Sequence, residues 1–185
     1  MTTLALFGAV LAATGAMRVV ELAVSLRRVR ADPGAAVAEP RLFPAMAVLH
    51  LALVSAPFAE VVLLDRPFSW SIGAMAAAIL AGATALRIWT LASIGRAWNV
   101  RVVRPTVIAT SGPYRWIRHP NYLVVILEIS AIPMLHGAWC SAIALSGLNA
   151  LVLWRRIRTE EAALSGVPAW VQAMRSKARF IPGVF

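Results

Sequence analysis

The stretch "GPYRWIRHPNYLVVILE", Gly112 to Glu128, changes character near its middle. Its first half is a basic turn: "SGP" (Ser111 to Pro113) is a turn signal, and Arg115, Arg118 and His119 follow it. Its second half is apolar, and from Leu123 onward only Glu128 is charged. Pro120 stands between the halves. A first helical position suits proline, because its missing N–H has no helical partner there and its φ is already helical. The sequence therefore predicts a helix that starts in water and runs into an apolar medium.

The rest of the chain supplies that medium. Of 185 residues, 60% are hydrophobic and 14% charged, against about a quarter charged in a soluble domain. The excess falls into blocks near the roughly 20 residues a helix needs to cross a bilayer. Five are readable: Leu4–Leu26, Ala45–Leu64, Ser69–Ile94, Tyr122–Leu135 and Ala138–Trp154. The last two are short and separated only by His136 and Gly137, which predicts a tight helical hairpin. The expected architecture is an all-α integral membrane bundle of five transmembrane helices with a cytosolic C-terminal helical segment. No Lys or Arg precedes Arg18, and the first block is long, so it reads as a retained anchor rather than a cleaved signal peptide.

The net charge of +10 is explained by topology rather than by nucleic acid. With the N-terminus outside, the inner segments 27–44, 95–121 and 155–185 hold 15 of the 18 basic residues. This is the bias of the positive-inside rule. No basic stretch has the interleaved aromatics of a stacking surface, so no nucleic-acid partner is expected. The single cysteine, Cys140, and three scattered histidines support neither a disulfide nor a metal centre. The outer turns "LDRP" (Leu64 to Pro67) and "LHG" (Leu135 to Gly137) are minimal, while "RADPGAAVAEPR" (Arg30 to Arg41) marks an inner linker. The long polar segments lie inside, so the working surface is expected there, in one membrane domain covering 1–185.

Two clusters could carry chemistry. The first turn of the helix at Pro120 offers free N–H groups beside Arg115, Arg118 and His119, a setting for a carboxylate or phosphate. The competing reading is an interfacial anchor that contacts membrane lipids. The second cluster is "RRIRTEEAAL" (Arg155 to Leu164), where Glu160 and Glu161 could bind an ammonium or two hydroxyls. Arg156–Glu160 and Arg158–Glu161 also have the spacing of ordinary surface pairs. A hairpin would bring the two clusters to one level, with a cationic niche beside an acidic one. Inside the spans, Arg18 and Glu21 are expected to neutralise each other. Arg87 either snorkels or faces a partner, and Glu128 is expected to pair, with Arg87 a candidate. His50 reads as a helix–helix hydrogen bond, and Glu60 as an outer-edge residue near Asp65 and Arg66.

Four segments taken together, "LRIWTLASIGRAWN" (Leu86 to Asn99), "SGPYRWIRHPNY" (Ser111 to Tyr122), "RTEEAAL" (Arg158 to Leu164) and "RFIPGVF" (Arg179 to Phe185), resemble the isoprenylcysteine carboxyl methyltransferase family, which overlaps with membrane phospholipid methyltransferases. The resemblance divides the chain into N-terminal spans (1–66) and a cofactor-binding and catalytic core (86–185). It implies S-adenosylmethionine as methyl donor for a lipophilic substrate. It implies that His119 and Tyr122 line the cofactor site with Tyr114, Arg118 and Pro120 beside them, and that Glu160 and Glu161 grip the cofactor. Arg87 would orient the acceptor's oxygen. A carboxylate acceptor needs no general base, whereas a phenol or enol needs one, or a cation that lowers its pKa. The short, bacterial-looking chain favours a small lipidic acceptor such as a long-chain phenol, pyrone or fatty acid, and placement in a bacterial inner membrane. Two other readings compete: a membrane NAD(P)H-dependent reductase similar to sterol reductases, and a small transporter or scaffold. A dinucleotide would be repelled by the paired glutamates, and a transporter should show repeated halves or broken helices.

Overall fold

A bilayer offers no partners to backbone N–H and C=O groups, so apolar stretches of this length fold as helices that satisfy those groups internally. A computed structural model of the protein describes residues 2–31, 42–95 and 108–183. Helix α1 spans Thr2–Ala31, α2 Leu42–Leu63 and α3 Trp70–Ile94. A single 3-10 turn at Gly112–Arg115 precedes α4 (Pro120–Met134), α5 (Trp139–Leu164) and the short α6 (Pro168–Met174). Among the described residues the architecture is all-α, with one isolated backbone bridge and no strand. Most of the expected inner linker, with Arg41, and the loop residues Arg96, Arg101 and Arg104 lie outside the described residues.

Helices α1, α2 and α3 are each long and apolar enough to cross a membrane. Their outward faces agree: Val19, Leu51, Leu63, Trp70 and Ile88 are all largely exposed, a surface suited to lipid. This is an integral membrane protein. The other two expected spans differ. Helix α4 has 15 residues and extends about 22 Å, short of the roughly 30 Å of a hydrocarbon core. Helix α5 runs on past its apolar block to Leu164, which carries Arg156, Glu160 and Glu161 on its continuation.

Helix α3 packs on α4, α4 on α5, α5 on α2 and α2 on α1. The expected hairpin is present. Its turn passes through Gly137 at φ 73°, a left-handed conformation that glycine adopts without strain. Gly112, at φ 57°, is held more tightly. A Cβ there would lie 1.9 Å from Ser93 Oγ, so the basic turn presses directly on the end of α3.

The hairpin's turn end is fastened by Glu60. As expected, this residue lies at the outer edge beside Arg66, and it is also buried, where its carboxylate accepts the N–H groups of Cys140 (3.1 Å) and Ser141 (2.7 Å) and the Nε of Arg66 (3.1 Å). Glu60 thus caps α5 from a different helix, because Ala138 at that helix start has no side chain able to do so. Glu60→Ala leaves the N–H groups of Cys140 and Ser141, the latter buried, without this acceptor and is expected to cost about 1–3 kcal/mol. The readout is a lowered melting temperature in detergent; an unchanged one would show that the cap carries no weight.

Candidate active site

At the opposite end of the hairpin, the residues singled out from the sequence converge. Helix α4 starts at Pro120 as expected, with His119 immediately before it. Helix α5 returns antiparallel and brings Glu160 and Glu161 to that level. Tyr122 Oη donates to Glu160, and Arg156 Nε donates to Tyr122 Oη at 2.7 Å. His119 Nε2 lies 3.1 Å from Glu161 Oε1, and Arg118 reaches the same oxygen at 3.0 Å. The rings of His119 and Tyr122 stack with centroids 5.2 Å apart. The cationic and acidic niches are therefore in direct contact rather than merely adjacent.

The two glutamates divide the work. Glu161 is enclosed: besides His119 and Arg118, it accepts from Arg179 Nε (3.1 Å) and Nη2 (2.8 Å). Burial alone would raise its pKa, but the hydrogen bonds from His119 and Arg179 and the charge of Arg118 outweigh burial and hold it at about 2. The same contact raises the pKa of Arg179. Glu160 is the more exposed of the pair, with its side chain 26% accessible against 15% for Glu161, and is the one left to meet a ligand.

Arg179 also arrives through the backbone. The N–H groups of Arg118 and His119 donate to the carbonyls of Ala178 (2.9 Å) and Arg179 (3.1 Å), and Lys177 Nζ donates to the carbonyl of Tyr114 (2.6 Å). The closing segment thus lies alongside the basic turn and takes up two of its N–H groups. Tyr114 is buried beneath this junction. Burial, reinforced by the negative charge of Glu160, pushes its phenol well above the ordinary tyrosine pKa. Arg115 does not join the cluster as expected; it is exposed and lies over the ring of Trp116. Two polar atoms here are buried and make no hydrogen bond among the described residues, Arg118 Nε and Asn121 Oδ1.

Deeper in the bundle, the intramembrane charges form one network instead of separate pairs. Arg87, 4% exposed, donates from Nε (3.0 Å) and Nη2 (2.6 Å) to both oxygens of Glu128, itself 2% exposed. Arg87 also contacts Glu21, and Arg18 bridges Glu21 and Glu128. Arg87 therefore does not snorkel. Its partner is another helix's carboxylate, which is the cheaper arrangement at this depth. Two arginines and two glutamates join α1, α3 and α4 with no net charge.

A cavity of about 370 Å³ lies between this network and Tyr122, bounded by α1, α2, α4 and α5 and by Arg87 of α3. Its walls are mainly apolar, with Arg18, Arg87, Asn121, Tyr122 and Arg156 among the polar lining. Tyr122 is shared: it lines the cavity and bonds Glu160, so it separates the cavity from the glutamate cluster. Sequence reasoning missed the roles of Arg179, Arg156 and Asn121. Arg179 opens "RFIPGVF" and looked like one more inner cation, and Arg156 looked like a surface partner of Glu160. His50 also differs from the expected helix–helix hydrogen bond. Its Nδ1 bonds the carbonyl of Met46 (2.7 Å) in its own helix rather than a neighbouring one, and its ring lines the cavity.

Residues 75–166 match the model of the isoprenylcysteine carboxyl methyltransferase (ICMT) family. The match starts earlier on α3 than the motifs suggested and ends before the closing segment that carries Arg179. The chain is also 40% identical over 125 residues to a protein named "uncharacterized protein YpbQ" from Bacillus subtilis strain 168, covering 66% of this chain and 73% of that one.

Proposed function

Because the chain belongs to the isoprenylcysteine carboxyl methyltransferase family, and is on that ground a membrane methyltransferase, we propose that it transfers a methyl group from S-adenosylmethionine to an oxygen of a lipophilic acceptor. The observation that carries this reading is the junction of Glu160, Glu161, Arg118, His119 and Tyr122 at the open end of the hairpin. Its chemistry fits the cofactor's groups. Glu160 suits an ammonium or the ribose hydroxyls, and the unpartnered Arg118 Nε suits the carboxylate. S-Adenosylmethionine would supply there an electrophilic methyl on a sulfonium. Tyr122, with its Oη fixed between Glu160 and Arg156, is a rigid wall against which that methyl and the acceptor's oxygen can be aligned. Alignment of this kind supplies several kcal/mol, up to about 10.

Arg118 and His119 hold Glu161, and Glu161 holds the closing segment, so the site is preorganised by ion pairs rather than by the cofactor. The cavity beyond Tyr122 would receive the acceptor, with Arg87 and Arg18 near its polar side. The α4–α5 hairpin would complete five membrane crossings, with its turn outside. The N-terminus would lie outside and the junction would face the cytosol, in keeping with the distribution of basic residues. The membrane would be a bacterial inner membrane, and 1–185 would act as one unit.

Thermal unfolding with S-adenosylhomocysteine or NADPH tests the reading. We expect S-adenosylhomocysteine at 100 times its Kd to stabilise the protein by about 2.7 kcal/mol and NADPH not to. Protection by NADPH alone would instead support reductase chemistry.

A further inference from the structure

His50 lies on α2, outside the residues that match the family, yet its ring faces the cavity beyond Tyr122. Its Nδ1 is 2.7 Å from the Met46 carbonyl oxygen. A carbonyl can only accept, so Nδ1 carries a proton, and in the neutral ring Nε2 then carries the lone pair. Nε2 has no hydrogen-bond partner among the described residues. A backbone carbonyl thus fixes one tautomer and leaves a neutral base facing a cavity.

The charged and titratable groups around it are Arg18 and Glu21 from α1, Arg87 from α3, Tyr122 and Glu128 from α4, and Arg156 from α5. The carboxylates are already engaged by arginines, so none is dedicated to His50 as an ion-pair partner. A second observation points to a polar ligand. Asn149, in the middle of the apolar block of α5, is 4% exposed and lines this cavity as well as a neighbouring one of about 240 Å³. Its amide makes no hydrogen bond among the described residues. Facing cavities whose walls are mainly apolar, this amide is available to hydrogen-bond a polar group of a bound ligand.

Resting on the methyl-transfer reading above, we infer that His50 is the general base for an acceptor whose nucleophile is a hydroxyl, phenolic or enolic, held in this cavity with Asn149 bonding its polar ring. The acceptor's O–H proton moves to His50 Nε2 while its oxygen forms a bond to the methyl carbon of an S-methyl sulfonium donor. The sulfur–methyl bond breaks, its electron pair stays on sulfur, and the neutral thioether leaves. The imidazolium then returns its proton to water. The product is a methyl ether, and a carboxylate acceptor would make His50 superfluous.

The test uses the full-length protein in detergent, wild type and His50→Gln, with pentadecylphenol and palmitate as acceptors. For pentadecylphenol, His50→Gln should lower kcat about 100-fold with KM within about threefold, and the fall in kcat on the acid side should vanish. Turnover of palmitate, if any, should not respond. A readout without the methyl donor is the ionisation of a bound dodecyl nitrophenol, followed by its absorbance. The probe should ionise in the wild type about one pH unit lower than in His50→Gln. Equal ionisation in both, no binding of the probe by the wild type, or an unchanged kcat overturns the inference. Should His50→Gln fail to fold, Asn149→Leu retains His50 and should weaken probe binding about tenfold; unaltered affinity likewise overturns it. Loss of S-adenosylhomocysteine protection in the wild type would strike the methyltransferase reading itself, whereas retained protection with a silent His50→Gln strikes only His50.

Discussion

Glu161→Gln is expected to reduce S-adenosylhomocysteine binding at least 100-fold while leaving membrane insertion intact. The carboxylate is the common acceptor for Arg118, His119 and Arg179. An amide offers one oxygen and no charge in its place, so Arg118 and Arg179, both partly buried, would lose the charge they share. The damage should exceed the loss of one ligand contact, because Arg118 and the closing segment would both come loose. Calorimetric titration with S-adenosylhomocysteine measures it, and wild-type affinity in the variant would show that the junction does not hold the cofactor. Glu160→Gln should be milder for folding but should still weaken binding, since Glu160 is the exposed member of the pair.

The same carboxylate sets a pH dependence. Its folded pKa of about 2 lies below the ordinary 4.5, so the unfolded chain binds this proton more readily than the folded one. The stabilisation is complete above about pH 5 and is lost as pH falls toward 2. Acid titration of the wild type should therefore show a loss of stability over that window that Glu161→Gln lacks.

Arg87→Ala is expected to destabilise the fold by about 3–5 kcal/mol, the cost of leaving Glu128 and Glu21 buried with too little positive charge. Arg87→Met combined with Glu128→Leu removes both charges and should recover much of that loss. The pair of variants separates two roles. If the double variant folds well but does not turn over, Arg87 orients the acceptor as the family resemblance implies. If it folds and works, the network is structural only. Denaturation in mixed micelles gives the first quantity and a methyl-transfer assay the second.

Much of this was legible in the chain itself. Apolar blocks interrupted by Pro, Gly and short polar turns led to bounds close to those observed for α2, α3 and α4, because in lipid a backbone has almost no alternative to the helix, while α1 and α5 run on into polar sequence. Pro120 marked the start of α4 for a purely local reason, its fixed φ. The ion pair between Arg18 and Glu21 was equally local, three residues apart on one helix. The motifs around His119 and Glu160 named a family, and their meeting followed from the hairpin.

What the chain could not determine was which distant groups would share a partner. That depends on how helices rotate about their axes and slide against each other, which side-chain packing decides and no local pattern encodes. Thus Arg18, Arg87, Glu21 and Glu128 became one neutral network instead of separate pairs. Glu60 became the cap of a helix far along the chain. Arg179 became the partner of Glu161 because a parallel bridge at Ala178 brings it there. His50, whose hydrogen bond is local, owes its position against a cavity to the packing of α2 on α1 and α5.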